Sequence, residues 1–164
     1  MAEAFADGCG AGEGAVPRAG APVREAALYA AVVVDIPARA LSDPFAYAVP
    51  ADLAGEVEVG CTVLVDFGRR PALGYVALLA CGLHDVPGAG GLDPARVKPL
   101  RAVLAPPDCT DRFFELARWL SREYVAPLAD CIRLFLPPGG TPRLLRGADG
   151  GYEVERPAVP EAVE

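Results

Sequence analysis

The stretch from Cys61 to Cys81 constrains the fold more than any other. Cys61 to Phe67 is an apolar run in which Val63 and Val65 share one face of an extended chain. Gly68-Arg69-Arg70-Pro71 then reverses direction, and Ala72 to Cys81 returns as a second apolar run around Tyr75 and Val76. So short a connection suits antiparallel neighbours, because parallel strands need a crossover of about a dozen residues or more. Upstream, Leu28 to Ile36 contains Val32-Val33-Val34 and reads as a buried strand ended by Pro37. Phe45 to Val49 is a shorter strand closed by Pro50, with Phe45 and Tyr47 on one side. Strands this closely spaced predict an antiparallel meander or a small barrel.

The remaining elements are placed by punctuation. Ala38 to Asp43 and the acidic stretch Ala51 to Val59 are connectors. His84 to Ala95, with Gly88-Ala89-Gly90-Gly91, is a surface loop. Arg96 to Leu104 reads as a further strand with Val97, Val103 and Leu104 inside, stopped by Pro106-Pro107. Thr110 is an expected helix N-cap, followed by Asp111 where the helix dipole favours an anion. Phe113, Leu116, Ala117, Leu120 and Tyr124 recur at helical spacing, as do Leu128, Cys131, Ile132 and Phe135 behind Pro127. The prediction is an α+β fold, a small antiparallel β-barrel-like sheet followed by two packed helices. Residues 1–25 are expected as a disordered tail, 26–140 as the domain and 141–164 as a linker toward further domains.

Charge and chemistry narrow the function. The formal net charge of −7 argues against a broad basic surface for duplex DNA, yet leaves room for a small local cationic site. The absence of a long apolar run and of a signal pattern at the start leads to a cytoplasmic assignment. Cys9, Cys61, Cys81, Cys109 and Cys131 have no C-x-x-C spacing, and His84 is the single histidine, so a metal site is not expected. Neither a P-loop nor G-x-S-x-G nor H-E-x-x-H is present. Glu56 and Glu58 lie in a polar connector, so nothing assembles a catalytic constellation. Lys98 is the only lysine beside fourteen arginines, and its ammonium makes a point contact where a guanidinium makes a fork. Taken singly, Phe45, Tyr47, Arg69, Arg70 and Lys98 have ordinary readings as core or surface residues.

Their order is more specific. Pro44-Phe45-Ala46-Tyr47-Ala48-Val49-Pro50 is followed by Gly60-Cys61-Thr62-Val63-Leu64-Val65-Asp66-Phe67-Gly68-Arg69-Arg70, then Gly74-Tyr75-Val76, then Val97-Lys98-Pro99-Leu100. With Tyr124, Pro127, Leu128 and Leu136-Pro137, this succession resembles the N-terminal domain of the primosomal replication-restart helicases, the PriA (primosomal protein N′) family, over about residues 28–138. The resemblance implies a module that captures the 3′ end of a nascent strand at a stalled fork, in a sequence-independent way. It implies Phe45, Ala46, Tyr47, Gly68, Arg69 and Lys98 as 3′-end-binding residues. Family members commonly carry an aspartate after the phenylalanine, facing the base edge; here Ala46 cannot accept that hydrogen bond, and Asp43 and Asp66 are the nearby carboxylates. The expected partners are forked DNA, primosome proteins and single-stranded-DNA-binding protein. The family's ATPase and zinc-binding parts, with their ATP, magnesium and zinc, have no counterpart here, so the chain is expected to bind no cofactor. The competing reading is a protein-interaction scaffold domain of the primosome with a weakened DNA pocket, motivated by Ala46.

Overall fold

The computed structural model describes residues 28–36, 43–107, 111–136, 141–146 and 152–155. Thr110, the expected cap, and the tail up to residue 25 lie outside the described residues. Five strands form one antiparallel sheet: β1 (Tyr29–Val34), β2 (Phe45–Ala48), β3 (Thr62–Phe67), β4 (Arg70–Ala80) and β5 (Ala102–Ala105), in the order β2-β1-β4-β3-β5. β3 and β4 form the expected hairpin, in a register that sets Thr62 opposite Tyr75 and Phe67 opposite Arg70. Every residue of β1 is buried. That burial is why its sequence is a continuous apolar run instead of an alternating one.

The sheet has two covered faces. Val32, Val34, Tyr47, Val63, Val65 and Val76 point into one core together with Leu100. Val33 and Tyr75 point the other way, onto α1 (Asp111–Tyr124) and α2 (Leu128–Arg133), where they meet Phe114, Ala117, Leu128 and Ile132.

The expected barrel is not closed. The chain between Arg96 and Leu104 is extended only in part: Pro94–Arg96 is a 3-10 turn, Ala48 and Pro99 form a lone parallel bridge, and β5 begins at Ala102. Prolines at 94 and 99 have no N–H to donate, which limits the pairing this segment can make. It instead runs across the open side, with Ala48 N–H donating to Lys98 O at 2.9 Å and Arg101 N–H to Leu64 O at 2.9 Å.

Two further differences separate expectation from structure. Part of the stretch expected as linker is a hairpin, β6 (Arg143–Arg146) with β7 (Tyr152–Glu155). Its Leu144 and Val154 pack against Leu64, Leu73 and Leu104. On α1 the buried stripe is Phe114, Ala117 and Ser121. Of the stripe read from spacing, Phe113, Leu116 and Tyr124 are exposed, as is Trp119. Small Ala117 and Ser121 let the helix approach α2 and the sheet, which a row of larger side chains would prevent. Cys61 and Cys131 are buried, whereas Cys81 is exposed.

A polar staple ties α2 to the sheet. Arg133 Nη1 lies 3.3 Å from Asp35 Oδ1, and Tyr75 OH donates to Asp35 Oδ2 at 3.4 Å. Burial pushes the Asp35 carboxyl above its ordinary value of 3.8, outweighing the downward pull of Arg133. The native state therefore holds that proton more tightly than the unfolded chain. Asp35's contribution to stability is greatest at low pH and declines as pH rises from 3.8 through the raised folded value. In Asp35→Asn the difference in unfolding free energy from the parent should shift in the variant's favour across that window. Urea titrations at stepped pH check this; a shift in the opposite direction would refute the assignment.

Candidate nucleic-acid interface

Three parts of the fold meet beside the open side of the sheet. β2 brings Ala46 and Tyr47, the end of β3 brings Asp66, Phe67 and Gly68, and the segment after the glycine-rich loop brings Leu92, Asp93, Arg96, Val97 and Lys98. Together they line an open hollow of about 210 Å³. Pockets that enclose a whole small molecule run to about 300–1,000 Å³, so this one suits the end of a ligand, with the rest outside.

One contact joins two of its lining residues. Lys98 Nζ donates to Gly68 O at 2.5 Å, joining residues 30 apart in sequence. The backbone bond from Ala48 N–H to Lys98 O sets the lysine's position, and the β3–β4 turn sets that of the carbonyl. Gly68 has φ +62°, a left-handed conformation that favours glycine. A Cβ added there would meet nothing within 4 Å, so the space beside it is open.

The floor is apolar, and the acids are already engaged. Phe67 lines the hollow, whereas Phe45 lies behind it, edge-on to Phe67 with ring centroids 5.2 Å apart and planes at 72°. Tyr47 is buried, its OH donating to Asp66 O at 3.3 Å. Burial and, secondarily, the Asp66 carboxylate push its phenol up to about 12, so it stays a neutral brace. Asp66 Oδ1 pairs with Arg101 Nη1 at 3.0 Å. Asp93 Oδ1 accepts from Ala95 N–H at 3.0 Å and caps the Pro94–Arg96 turn.

Of the residues expected at the site, the hollow gathers Ala46, Tyr47, Gly68 and Lys98. Phe45 supports it from behind, and Arg69 is exposed on the turn outside its lining. Asp66 is at the hollow, and Asp43 is not. Sequence reasoning missed Phe67, Leu92, Asp93, Arg96 and Val97 as lining residues. Phe67 was within reach, since it continues the alternation of Val63 and Val65 toward Gly68. Asp93-Pro94 carries an N-cap signature with proline in the first turn, which places Arg96 on a short helical turn. Among the described residues no group of three or more His, Cys, Asp or Glu could hold a metal ion, and no helix is long and apolar enough to cross a membrane. The hollow offers an apolar floor, a carbonyl, an ammonium and a guanidinium, which are groups for holding a ligand.

Comparison with known proteins bears on the same stretch. The family model of the PriA 3′DNA-binding domain (3′BD) matches residues 31–137. The replication restart protein PriA of Synechocystis sp. (strain PCC 6803) is 33% identical over 111 residues, 68% of this chain and 12% of the relative. The replication restart protein PriA of Bacillus subtilis (strain 168) is 28% identical over 135 residues, 78% of this chain and 16% of the relative. The matched span is thus less than a fifth of either relative's length.

Proposed function

The chain belongs to the PriA 3′-DNA-binding domain family, and from that premise we propose that its hollow receives the free 3′ terminus of a nascent strand at a stalled fork, whatever the sequence. The observation that carries this reading is the pairing of Gly68 O with Lys98 Nζ, both in the lining of the hollow. A hydroxyl is both donor and acceptor, so a terminal 3′ hydroxyl can donate to that carbonyl and accept from that ammonium. A 3′ phosphate at neutral pH would set anionic oxygens against the carbonyl. Sugar and base would lie over Phe67, Leu92 and Ala46, surfaces that discriminate little between bases. One terminus needs few phosphate contacts, which reconciles DNA binding with a net charge of −7.

In this reading the domain works in the cytoplasm as part of a restart helicase that carries the ATP-, magnesium- and zinc-dependent parts elsewhere. It acts with primosome proteins and single-stranded-DNA-binding protein. The test is fluorescence anisotropy of the full chain with a labelled single strand ending in a 3′ hydroxyl or a 3′ phosphate. The hydroxyl form should bind roughly tenfold tighter, about 1.4 kcal/mol. Equal affinity would overturn the reading. One observation favours a protein-interaction role in its place, the exposed apolar side of α1 formed by Phe113, Leu116, Trp119 and Tyr124. Absence of binding to any forked DNA, together with association with the helicase body, would establish that alternative.

A further inference from the structure

Resting on the end-binding reading above, we propose that Arg96, and not Lys98, makes the phosphate contact of this hollow. Its guanidinium takes the internucleotide phosphate that leads into the bound terminus.

The lining holds two acids and two cations: Asp66, Asp93, Arg96 and Lys98. Asp66 is neutralised by Arg101, which lies outside the lining. Lys98 is committed to Gly68 O, so its place is set by the turn. That ammonium suits a hydroxyl beside the carbonyl better than a phosphate reaching past it.

Arg96 is different on each count. It is exposed, and among the described residues its guanidinium has no hydrogen-bond or ion-pair partner. Asp93, three residues earlier, does not pair with it, because the Asp93 carboxylate turns back to the Ala95 N–H. The backbone beneath Arg96 is nonetheless held: Arg96 N–H donates to Asp93 O at 2.9 Å, and the next residue, Val97, donates to Pro94 O at 3.2 Å. A fixed anchor with an uncommitted planar fork is the arrangement that grips a phosphate through two parallel hydrogen bonds.

The test uses the full chain and a labelled trinucleotide with a free 3′ hydroxyl. Its last linkage is either a phosphodiester or a neutral methylphosphonate, and salt is varied. The parent should bind the phosphodiester about tenfold tighter than the methylphosphonate. Arg96→Gln should lose about that factor on the phosphodiester, become indifferent to the methylphosphonate, and show a log-affinity against log-salt slope shallower by about 0.7. Lys98→Gln should keep the discrimination between linkages while losing the preference for hydroxyl over 3′ phosphate. Retention of the parent's linkage discrimination by Arg96→Gln, or its loss in Lys98→Gln alone, would overturn the inference. If the parent itself does not prefer a 3′ hydroxyl to a 3′ phosphate, the end-binding reading falls first and this inference with it.

Discussion

Replacing Gly74 with valine should destabilise the domain by about 3 kcal/mol or more. Gly74 lies on β4, with β1 on one side and β3 on the other, opposite Val34 and Val63. A Cβ built there would lie 2.4 Å from Val32 Cγ1 and 3.3 Å from Val33 O. Val32 is 0% exposed, so its methyl has nowhere to retreat without opening the sheet core. Even one added carbon demands a shift of β1 against β4; valine's two further methyls demand more. For a domain of this size the loss corresponds to a fall in melting temperature of roughly 10 °C. Scanning calorimetry reads it directly, with Gly55→Ala as control, since nothing lies within 4 Å of a Cβ at that position. A Gly74→Val melting temperature within about 2 °C of the parent would show that β1 yields easily, and would remove the steric reason for glycine there.

Gly68→Asn should do the opposite, leaving the fold and removing the ligand. Asparagine tolerates the left-handed backbone better than most residues, so the φ of +62° costs little with that side chain. Nothing in the protein obstructs the new atoms, because the space beside Gly68 is open. Gly68 lines the hollow that the proposed terminus occupies. The added amide should exclude the terminal sugar and its base contacts, worth about 1–3 kcal/mol per base, and lower affinity for a 3′-hydroxyl strand about tenfold to a hundredfold. The melting temperature should stay near the parent's. Undiminished binding by Gly68→Asn would place the ligand somewhere other than this hollow.

The two glycines differ in how much of their role was visible beforehand. Gly68 sits between an apolar run and two arginines, so its turn could be read directly. Gly74 stands in the middle of an apolar run, and only the closeness of Val32 explains it. The same contrast holds for the site. Ala46, Tyr47, Gly68 and Lys98 were legible from their motifs, and the fold brings them to one hollow. Phe45 was among the expected binding residues; Phe67 lines the hollow, with Phe45 edge-on to it. Both rings belong to strands whose alternation points inward, and which of them borders the opening depends on how far each strand runs past its neighbour.

What the chain settled by local rules was the strands β1 to β4, the positions of the helices, the turn at Gly68 and the motif order that marks the family. These depend on backbone sterics and on periodicities of two and about 3.6 residues, which act between near neighbours. Tertiary packing alone decided three other matters: the open edge crossed by Lys98–Leu100, the side of α1 that is buried, and the meeting of Lys98 with a carbonyl 30 residues away. Each is a choice between alternatives that local rules leave nearly equal. Close packing makes that choice, because only one arrangement fills the core and pairs the buried polar groups.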